Sequence, residues 1–203
     1  MPEPKDFKGK HFNYKLDLGG TMPEGYDGGI KHDSDRIVTT HLRNSAGDAH
    51  GTPWTFKFLK YWAGAITRTQ LNGPLLTGPM SGCILCRYTK GGQIMLAHIG
   101  TANAKDSEAT VNVKRAWTEY VADGVTNLVG RKPTSVINEH DVFANVLKGP
   151  PVVVPKTWGY FTLTDAWALL IRTIHIGGGQ TSNEIVMARP MALLPWDQIP
   201  DSW

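Results

Sequence analysis

A pair of short apolar runs joined by two glycines is the feature that most limits how this chain can fold. Residues 83–88 and 93–99 flank Gly91 and Gly92, and adjacent glycines between such runs indicate a β-hairpin with a tight turn. Each run is apolar on both of its faces, as expected for a strand that is covered from either side. The sequence therefore predicts a buried hairpin at the centre of a sheet.

Glycine and proline are frequent in the rest of the chain, with 22 and 13 of the 203 residues. So many helix-breaking residues disfavour a helix bundle or a coiled coil and favour short strands and turns. The last two of the further strand candidates flank Gly177-Gly178-Gly179, which indicates a second hairpin. These candidates are residues 11–18, 36–42, 151–154, 160–163, 169–176 and 184–194.

One segment has a clear helical pattern. Residues 106–122 place apolar side chains on one face at helical spacing. Asp106 or Ser107 can cap the start of this helix, and Gly124 can end it. A weaker helical pattern covers residues 139–147.

The chain has no internal repeat, low-complexity linker or change in composition that would divide it. Residues 1–203 are therefore predicted to form a single α/β domain, in which most strands pair antiparallel and one or two helices cover them. Residues 1–35 are polar and rich in glycine, so they are predicted to be largely loop, as an N-terminal extension.

The charge balance argues against a nucleic-acid-binding protein. The chain has 21 basic and 18 acidic residues, a net charge of +3, and no run of five like charges. Its longest apolar runs, such as residues 166–171, are far shorter than the roughly 20 residues that span a membrane. The first residues contain no apolar signal-peptide core. We therefore expect neither nucleic acid nor a membrane as a partner, and no classical signal peptide.

Cys83 and Cys86 are too few for a disulfide framework, but they have the Cys-x-x-Cys spacing of redox and zinc sites. In a strand, two residues an odd number apart point to opposite faces, and these two Cα atoms would lie about 10 Å apart, beyond disulfide range. A zinc site would need two further ligands, and the sequence has no second cysteine pair. We therefore expect neither a disulfide nor a metal.

The hairpin instead relates Cys83 to His98. If Gly91 and Gly92 form the turn, His98 is one diagonal step from Cys83 on the same face, and if the turn is Lys90-Gly91 the two residues are directly opposite. An odd-length loop would separate them. A thiol beside an imidazole can form the thiolate–imidazolium pair of cysteine hydrolases and acyl transferases. The alternative is an inert buried cysteine and a hydrogen-bonded core histidine.

The residues before Cys83 favour the catalytic interpretation. Ser81 and Gly82 immediately precede the cysteine, and glycine lets the backbone turn sharply, so that nearby amides can face a developing oxyanion. Thr77 lies six positions before Cys83 and could orient His98 as the third member of a triad. The alternative for Thr77 is an ordinary turn residue beside a Gly-Pro pair.

These residues resemble the glutamine deamidase superfamily, in which Thr-x5-Cys with Ser-Gly before the cysteine is followed by a histidine across a hairpin. That group includes the catalytic domain of cytotoxic necrotizing factor, the Burkholderia lethal factor and the chemoreceptor deamidase CheD. The resemblance covers about residues 77–101. The threonine at position 77 is similar to that of lethal factor and CheD, whereas necrotizing factor has no matching threonine in that role.

The resemblance implies a cysteine-dependent protein-glutamine deamidase. Cys83 would attack the carboxamide of a target glutamine, His98 would take the thiol proton and later protonate ammonia, and Thr77 would orient the imidazole. The amides around Ser81 and Gly82 would stabilise the oxyanion. Water would then release glutamate from the thioester, without a metal or an organic cofactor. An amine in place of water would give a transglutaminase outcome with the same residues.

The resemblance also implies a sandwich of mixed, largely antiparallel β-sheets with flanking helices. The chain length and the long region before Thr77 are similar to those of the free-standing toxin-like members. This implies a bacterial toxin or virulence effector that is secreted or injected and acts in a host cytoplasm. The implied partner is a protein with a reactive glutamine, such as a host GTPase or a translation factor, and the enzyme is expected to be a monomer.

Seven tryptophans are many for a chain of this length. They allow a function of a different class, a noncatalytic β-sandwich module that binds a carbohydrate or a protein through an aromatic face. The other interpretation is that they pack in the core and at its rim, because tryptophan has a large apolar body.

Overall fold

A computed structural model of the protein describes residues 2–16, 20–21, 29–32, 36–101, 107–148 and 153–199. Within these ranges the strands are β1 Lys10–Phe12, β2 Gly20–Thr21, β3 Ile30–His32, β4 Arg36–Leu42, β5 Thr52–Lys60, β6 Trp62–Ala63, β7 Ala65–Gln70, β8 Leu75–Met80, β9 Ile84–Lys90, β10 Gln93–Gly100, β11 Thr126–Arg131, β12 Lys156–Phe161, β13 Ala166–Gly177, β14 Gln180–Pro190 and β15 Leu194–Pro195. The helices are α1 Glu108–Ala122 and α2 Glu139–Ala144, and 3₁₀ turns cover Pro4–Asp6, Pro133–Ser135 and Trp196–Gln198.

The larger sheet has seven strands in the order β1-β14-β13-β12-β8-β5-β4. Its neighbouring strands are antiparallel, except that β5 and β8 run parallel. The two edges of the sheet meet, because the backbones of His11 and Arg43 exchange two hydrogen bonds of 2.8 Å. The sheet therefore curls around an apolar interior, which contains Phe12, Trp54 and Tyr160.

The second sheet has six strands in the order β15-β11-β9-β10-β7-β3, with the predicted hairpin, β9 and β10, at its centre. Lys90 pairs with Gln93, so Gly91 and Gly92 form a two-residue turn. Their φ angles of 58° and 76° lie in the region that glycine adopts without steric cost. The prediction of a central hairpin with a glycine turn is confirmed.

The two sheets pack face to face through an apolar cluster that we call the inter-sheet core. It joins Leu59, Leu75 and Phe161 of the larger sheet to Leu85 and Leu96 of the hairpin. Helix α1 covers the opposite face of the hairpin. Both faces of the hairpin are buried in this way, which explains its two-sided apolar sequence. The predicted α/β class, with mixed and largely antiparallel sheets and flanking helices, is confirmed.

Helix α1 begins where the sequence predicts. The Ser107 side chain caps it by accepting a hydrogen bond from the backbone N–H of Thr110; Asp106, the other candidate cap, lies outside the described residues. Val113 and Trp117 are fully buried against the hairpin, as the helical pattern requires. Neither α1 nor any other helix in the described ranges has the length and apolar character needed to cross a membrane.

The first residues of the chain add aromatic side chains to the core. Phe7 and Phe12 are fully buried in the interior of the larger sheet. The strand predicted at 11–18 is wrong at residues 13–16, where the carbonyls of Asn13 and Tyr14 accept hydrogen bonds from side chains rather than from backbone N–H groups, and residues 17 and 18 lie outside the described residues. Much of the segment 1–35, predicted as loop, lies outside the described residues.

Helix α2 and the strand predicted at 151–154 also differ from the prediction. Helix α2 ends at Ala144, three residues short of the predicted end, although the reciprocal Asn138 and Asp141 capping bonds fix its start. The strand predicted at 151–154 lies partly outside the described residues, and Val153 forms only an isolated bridge. Strands β5, β7, β8 and β11 are among those that the sequence pattern does not predict.

Candidate functional site

Thr77 and His98 come from different sheets and meet in the space between them. Thr77 lies in β8 of the larger sheet, and His98 lies in β10 of the hairpin. Both side chains are almost completely buried. Thr77 Oγ1 lies 2.7 Å from His98 Nδ1, the separation of a good hydrogen bond. This bond orients the imidazole across the sandwich.

Cys83 lies on the same face of the hairpin as His98. His98 pairs with Leu85, and Cys83 is two residues before Leu85, so the thiol and the imidazole are diagonal neighbours on the face toward the larger sheet. Cys83 accordingly packs in the inter-sheet core. The register prediction is confirmed.

Cys86 lies on the opposite face of the hairpin, in the cluster beneath α1. Both cysteines are free and buried, and the prediction that Cys83 and Cys86 point to different sides is confirmed. No group of three or more His, Cys, Asp or Glu side chains within the described ranges is placed to hold a metal ion.

The surroundings of the thiol combine burial with backbone donors. Burial raises the pKa of Cys83 to about 11, while backbone hydrogen bonds from Gly82, Thr101 and Ser81 and a side-chain hydrogen bond with Tyr61 act to lower this pKa. Groups that lower a thiol pKa do so by stabilising negative charge on sulfur. The two predicted oxyanion residues, Ser81 and Gly82, therefore lie beside Sγ, where they can also face an oxyanion formed at a carbon bonded to that sulfur.

The imidazole is neutral in this arrangement. Burial lowers the pKa of His98 to about 3, and Nε2 has no hydrogen-bond partner among the described residues. Cys83 and His98 are thus uncharged near neutral pH and are not hydrogen-bonded to each other. Burial of both groups favours their neutral forms over the thiolate–imidazolium pair considered from the sequence.

Tyr61 is a site residue that the sequence pattern does not single out. Its ring stacks on the His98 imidazole, with centroids 5.0 Å apart and planes at 29°. Its hydroxyl shares a hydrogen bond with the Cys83 thiol and lies 3.5 Å from the carbonyl oxygen of Thr101. The only sequence signal is its place in an aromatic stretch between residues 54 and 62, which says nothing about which distant residues it meets.

Gly100 allows the Tyr61 segment to approach the hairpin. It ends β10 opposite Ala65, and a Cβ atom here would overlap the carbonyl oxygen of Trp62. A glycine is therefore required for such close contact between the two backbones. The contact brings Tyr61 to the end of the hairpin that carries His98.

An open groove of about 550 Å³ borders the site. One wall includes Tyr61, Met80 and Ser81, and the other includes residues of α2, among them Phe143, whose side chain is 70% exposed. Cys83, His98 and Thr77 do not line the groove, and its links to them are Ser81, two residues before Cys83, and Tyr61, which stacks on His98. The groove is large enough for a side chain and its flanking backbone.

The tryptophans are part of the packing. Trp54, Trp117 and Trp158 are fully buried, and the other three that the structure describes are half-buried; Trp203 lies outside the described residues. The core explanation accounts for the six described tryptophans. The three half-buried tryptophans, Trp62, Trp167 and Trp196, keep part of their surface exposed.

The fold and the site together define a class: a sheet-rich sandwich domain with a buried cysteine, histidine and threonine at the junction of its two sheets. Comparison with known proteins identifies no relative of the chain. No protein-family model matches the chain, no curated protein matches it, and no solved structure matches it. The resemblance to the glutamine deamidases therefore depends on the residues themselves.

The Thr77 hydrogen bond leads to a first prediction. We expect Thr77→Val to lower the rate of any reaction that uses His98 by about tenfold or more, because the imidazole loses its orienting partner. The protein should also lose about 1–3 kcal/mol of unfolding free energy, since His98 Nδ1 is left buried and unpaired. Urea unfolding and a rate assay measure the two effects.

Thr40→Val is the matched control for Thr77→Val. Thr40 is also buried, and its hydroxyl donates to the carbonyl of Asn13 at 3.1 Å, far from the site in the fold. This variant should lose stability without losing rate. Equal rates in Thr77→Val and wild type would exclude Thr77 from the site.

Proposed function

We propose that the protein is a cysteine-dependent protein-glutamine deamidase. The observation that carries this proposal is the 2.7 Å contact between Thr77 and His98, on the same face of the hairpin as Cys83. A nucleophile, a base and a group that orients the base are the parts of an activated-nucleophile site. The backbone donors around Sγ supply the remaining part, a place for the oxyanion.

The unpartnered nitrogen of His98 fits the role of general base. When Nδ1–H donates to Thr77 Oγ1, Nε2 keeps a free lone pair, which can accept the thiol proton. The pKa values are about 11 for Cys83 and about 3 for His98. Proton transfer from the thiol to the imidazole is therefore strongly unfavourable while both groups stay buried and apart, as they are in the structure. The reactive arrangement therefore brings Nε2 and Sγ together, where the developing opposite charges stabilise each other.

The chemistry then balances in two half-reactions. Sγ of Cys83 bonds to the carboxamide carbon as its proton moves to His98 Nε2, and the carbonyl oxygen becomes an oxyanion near the backbone of Gly82. The C–N bond breaks as the imidazolium returns the proton to nitrogen, so ammonia leaves and a thioester remains. Water attacks the thioester with His98 as base, which releases glutamate and restores the thiol.

The groove beside Ser81 and Tyr61 is the proposed approach for the substrate. A glutamine side chain is long enough to leave a bound segment and reach toward a recessed thiol, and the groove can hold that segment. The partner is thus a protein with an accessible glutamine, and by the resemblance a host GTPase or a translation factor. A bacterial toxin or effector that works in a host cytoplasm is the corresponding biological role. No cofactor takes part in the proposed steps.

Heavy-oxygen water tests this proposal directly. Wild-type protein is incubated in it with host-cell lysate and with purified glutamine-containing proteins, and both ammonia release and peptide masses are recorded. A deamidase gives one glutamate with a single heavy oxygen for each ammonia released. Ammonia release with incorporation of an added amine would instead identify a transglutaminase. Absence of ammonia release across lysate and purified substrates would contradict the proposal.

A further inference from the structure

We propose that Tyr61 determines the specificity of this site: its ring closes Cys83 and His98 off from the groove, and a carboxamide is admitted only when a bound protein segment displaces the ring. The choice of substrate by Tyr61 rests on the proposed function and goes beyond it by naming which substrates the site excludes. Closure of the site by the ring does not depend on that function, because it concerns only access to the thiol.

The position of Tyr61 supports closure. The residue belongs to the wall of the groove, yet it also contacts both reacting groups, through the ring stack on His98 and the hydroxyl contact with Cys83. Those two groups are 2% and 1% exposed, and neither is among the residues that line the open groove. Tyr61 is half-buried, with one side toward the groove and the other toward the site.

The local backbone allows the ring to move. Tyr61 is the single residue between β5 and β6, so rotation of its side chain breaks no strand pairing. Its remaining polar contact, with the carbonyl of Thr101, is long at 3.5 Å and therefore weak. Displacement of the ring would expose Cys83 and His98 together, and it would free the thiol to meet the unpaired Nε2.

The size of the substrate decides whether the ring moves. A free small amide makes few contacts, so it has little differential affinity for the open state and cannot shift the equilibrium. A protein segment that fills the groove contacts Met80, Ser81 and Phe143 as well. The expected substrate class is therefore glutamine within a protein, and free glutamine or a short peptide is excluded.

Iodoacetamide is a suitable probe because it is itself a small carboxamide that reacts with thiols. We expect Tyr61→Ala to increase the alkylation rate of Cys83 by at least about tenfold, since the closed state no longer dominates. Tyr61→Phe keeps the ring and should stay within about threefold of wild type. The rates are measured at several pH values by peptide mass spectrometry, so that a change in access, which acts at every pH, is separated from a shift in the pKa of the thiol.

Two controls accompany the alkylation experiment. Ile37→Ala removes an exposed apolar side chain from β4, outside the residues that line the groove, and it should leave the rate at Cys83 unchanged. Cys86, fully buried on the opposite face, is an internal control in every variant. Its alkylation should remain slow, whereas equal acceleration at Cys86 would mean general loosening of the fold and would overturn the inference.

The outcomes separate closure from catalysis. No acceleration at Cys83 in Tyr61→Ala would overturn closure by Tyr61, even if wild-type protein deamidates a target. Acceleration at Cys83 alone supports closure, even if no glutamate is ever formed. Where wild-type deamidation is observed, Tyr61→Ala should also release ammonia from a free glutamine dipeptide that wild type leaves intact. If neither wild type nor Tyr61→Ala releases ammonia from the dipeptide, the specificity role of Tyr61 is overturned.

Discussion

Cys83→Ser should abolish deamidation, with a loss of at least about a thousandfold in rate, as expected when the nucleophile of a covalent mechanism is replaced. A serine hydroxyl is far less acidic than a thiol. In this site it would have to lose its proton to His98, whose pKa is already lowered to about 3 by burial. The base that suffices for a thiol is therefore too weak for an alcohol.

The same substitution should leave the fold intact. Cys83 lies beside backbone donors and the Tyr61 hydroxyl, so a serine oxygen finds hydrogen-bond partners there. We expect a change in unfolding free energy within about 1 kcal/mol, in the range of mild buried substitutions. Circular dichroism and urea unfolding measure this, and ammonia release measures the rate.

Cys86→Ala is the matched control for Cys83→Ser. Cys86 is fully buried among apolar side chains beneath α1, and burial is the sole cause that raises its pKa. Serine at this position would bury an unpaired hydroxyl, so alanine is the better substitution. The variant should lose about 1 kcal/mol from the small cavity and keep full activity. An active Cys83→Ser protein, or an inactive Cys86→Ala protein that still folds, would refute the assignment of the nucleophile.

The part of the site that lies within one hairpin could be predicted from the sequence. Side chains alternate along a strand, and the turn between Gly91 and Gly92 fixes which residues are opposite. The relation between Cys83 and His98 therefore follows from counting positions. The separation of Cys83 from Cys86 follows from the same alternation.

The strand that carries Thr77 could not be predicted in the same way. Strand β8 contains Gly78 and Pro79, which normally argue against a strand in the interior of a sheet. A glycine is needed at position 78 because a Cβ atom there would overlap the ring of Trp158. The pairing of β8 with β12 is also irregular at this point. Thr77 could be singled out by its place six residues before Cys83 and by the resemblance to the deamidases, but not by strand pairing, since the partner strands are distant in sequence.

Tyr61 shows a further limit of sequence reasoning. Its contacts with Cys83, His98 and Thr101 join segments separated by more than twenty residues, and no local pattern encodes such meetings. They depend on how the two sheets pack and on the close approach at Gly100. A propensity argument can place an aromatic residue in a sheet, but it cannot say which buried groups that residue will cover.

The buried imidazole should make the protein markedly less stable as the solution is acidified. His98 has a pKa of about 3 in the folded protein, against an ordinary value of 6.5. Between these values the unfolded chain binds a proton that the folded chain does not, so acidification favours unfolding. The contribution is complete above pH 6.5, falls by up to about 1.4 kcal/mol for each pH unit below it, and is lost near pH 3.

His98→Gln isolates this contribution, because glutamine does not titrate and can still hydrogen-bond to Thr77. Urea unfolding of wild type and variant at several points between pH 7 and pH 4.5 gives two slopes, and carboxylates that titrate in both proteins cancel in the difference. Wild type should lose about 2–3 kcal/mol more than the variant over this range. His50→Gln, at an exposed position, should retain the wild-type slope. Parallel slopes for wild type and His98→Gln would mean that the pKa of His98 is the same in the folded and unfolded chains, which would contradict the lowered pKa of the buried imidazole.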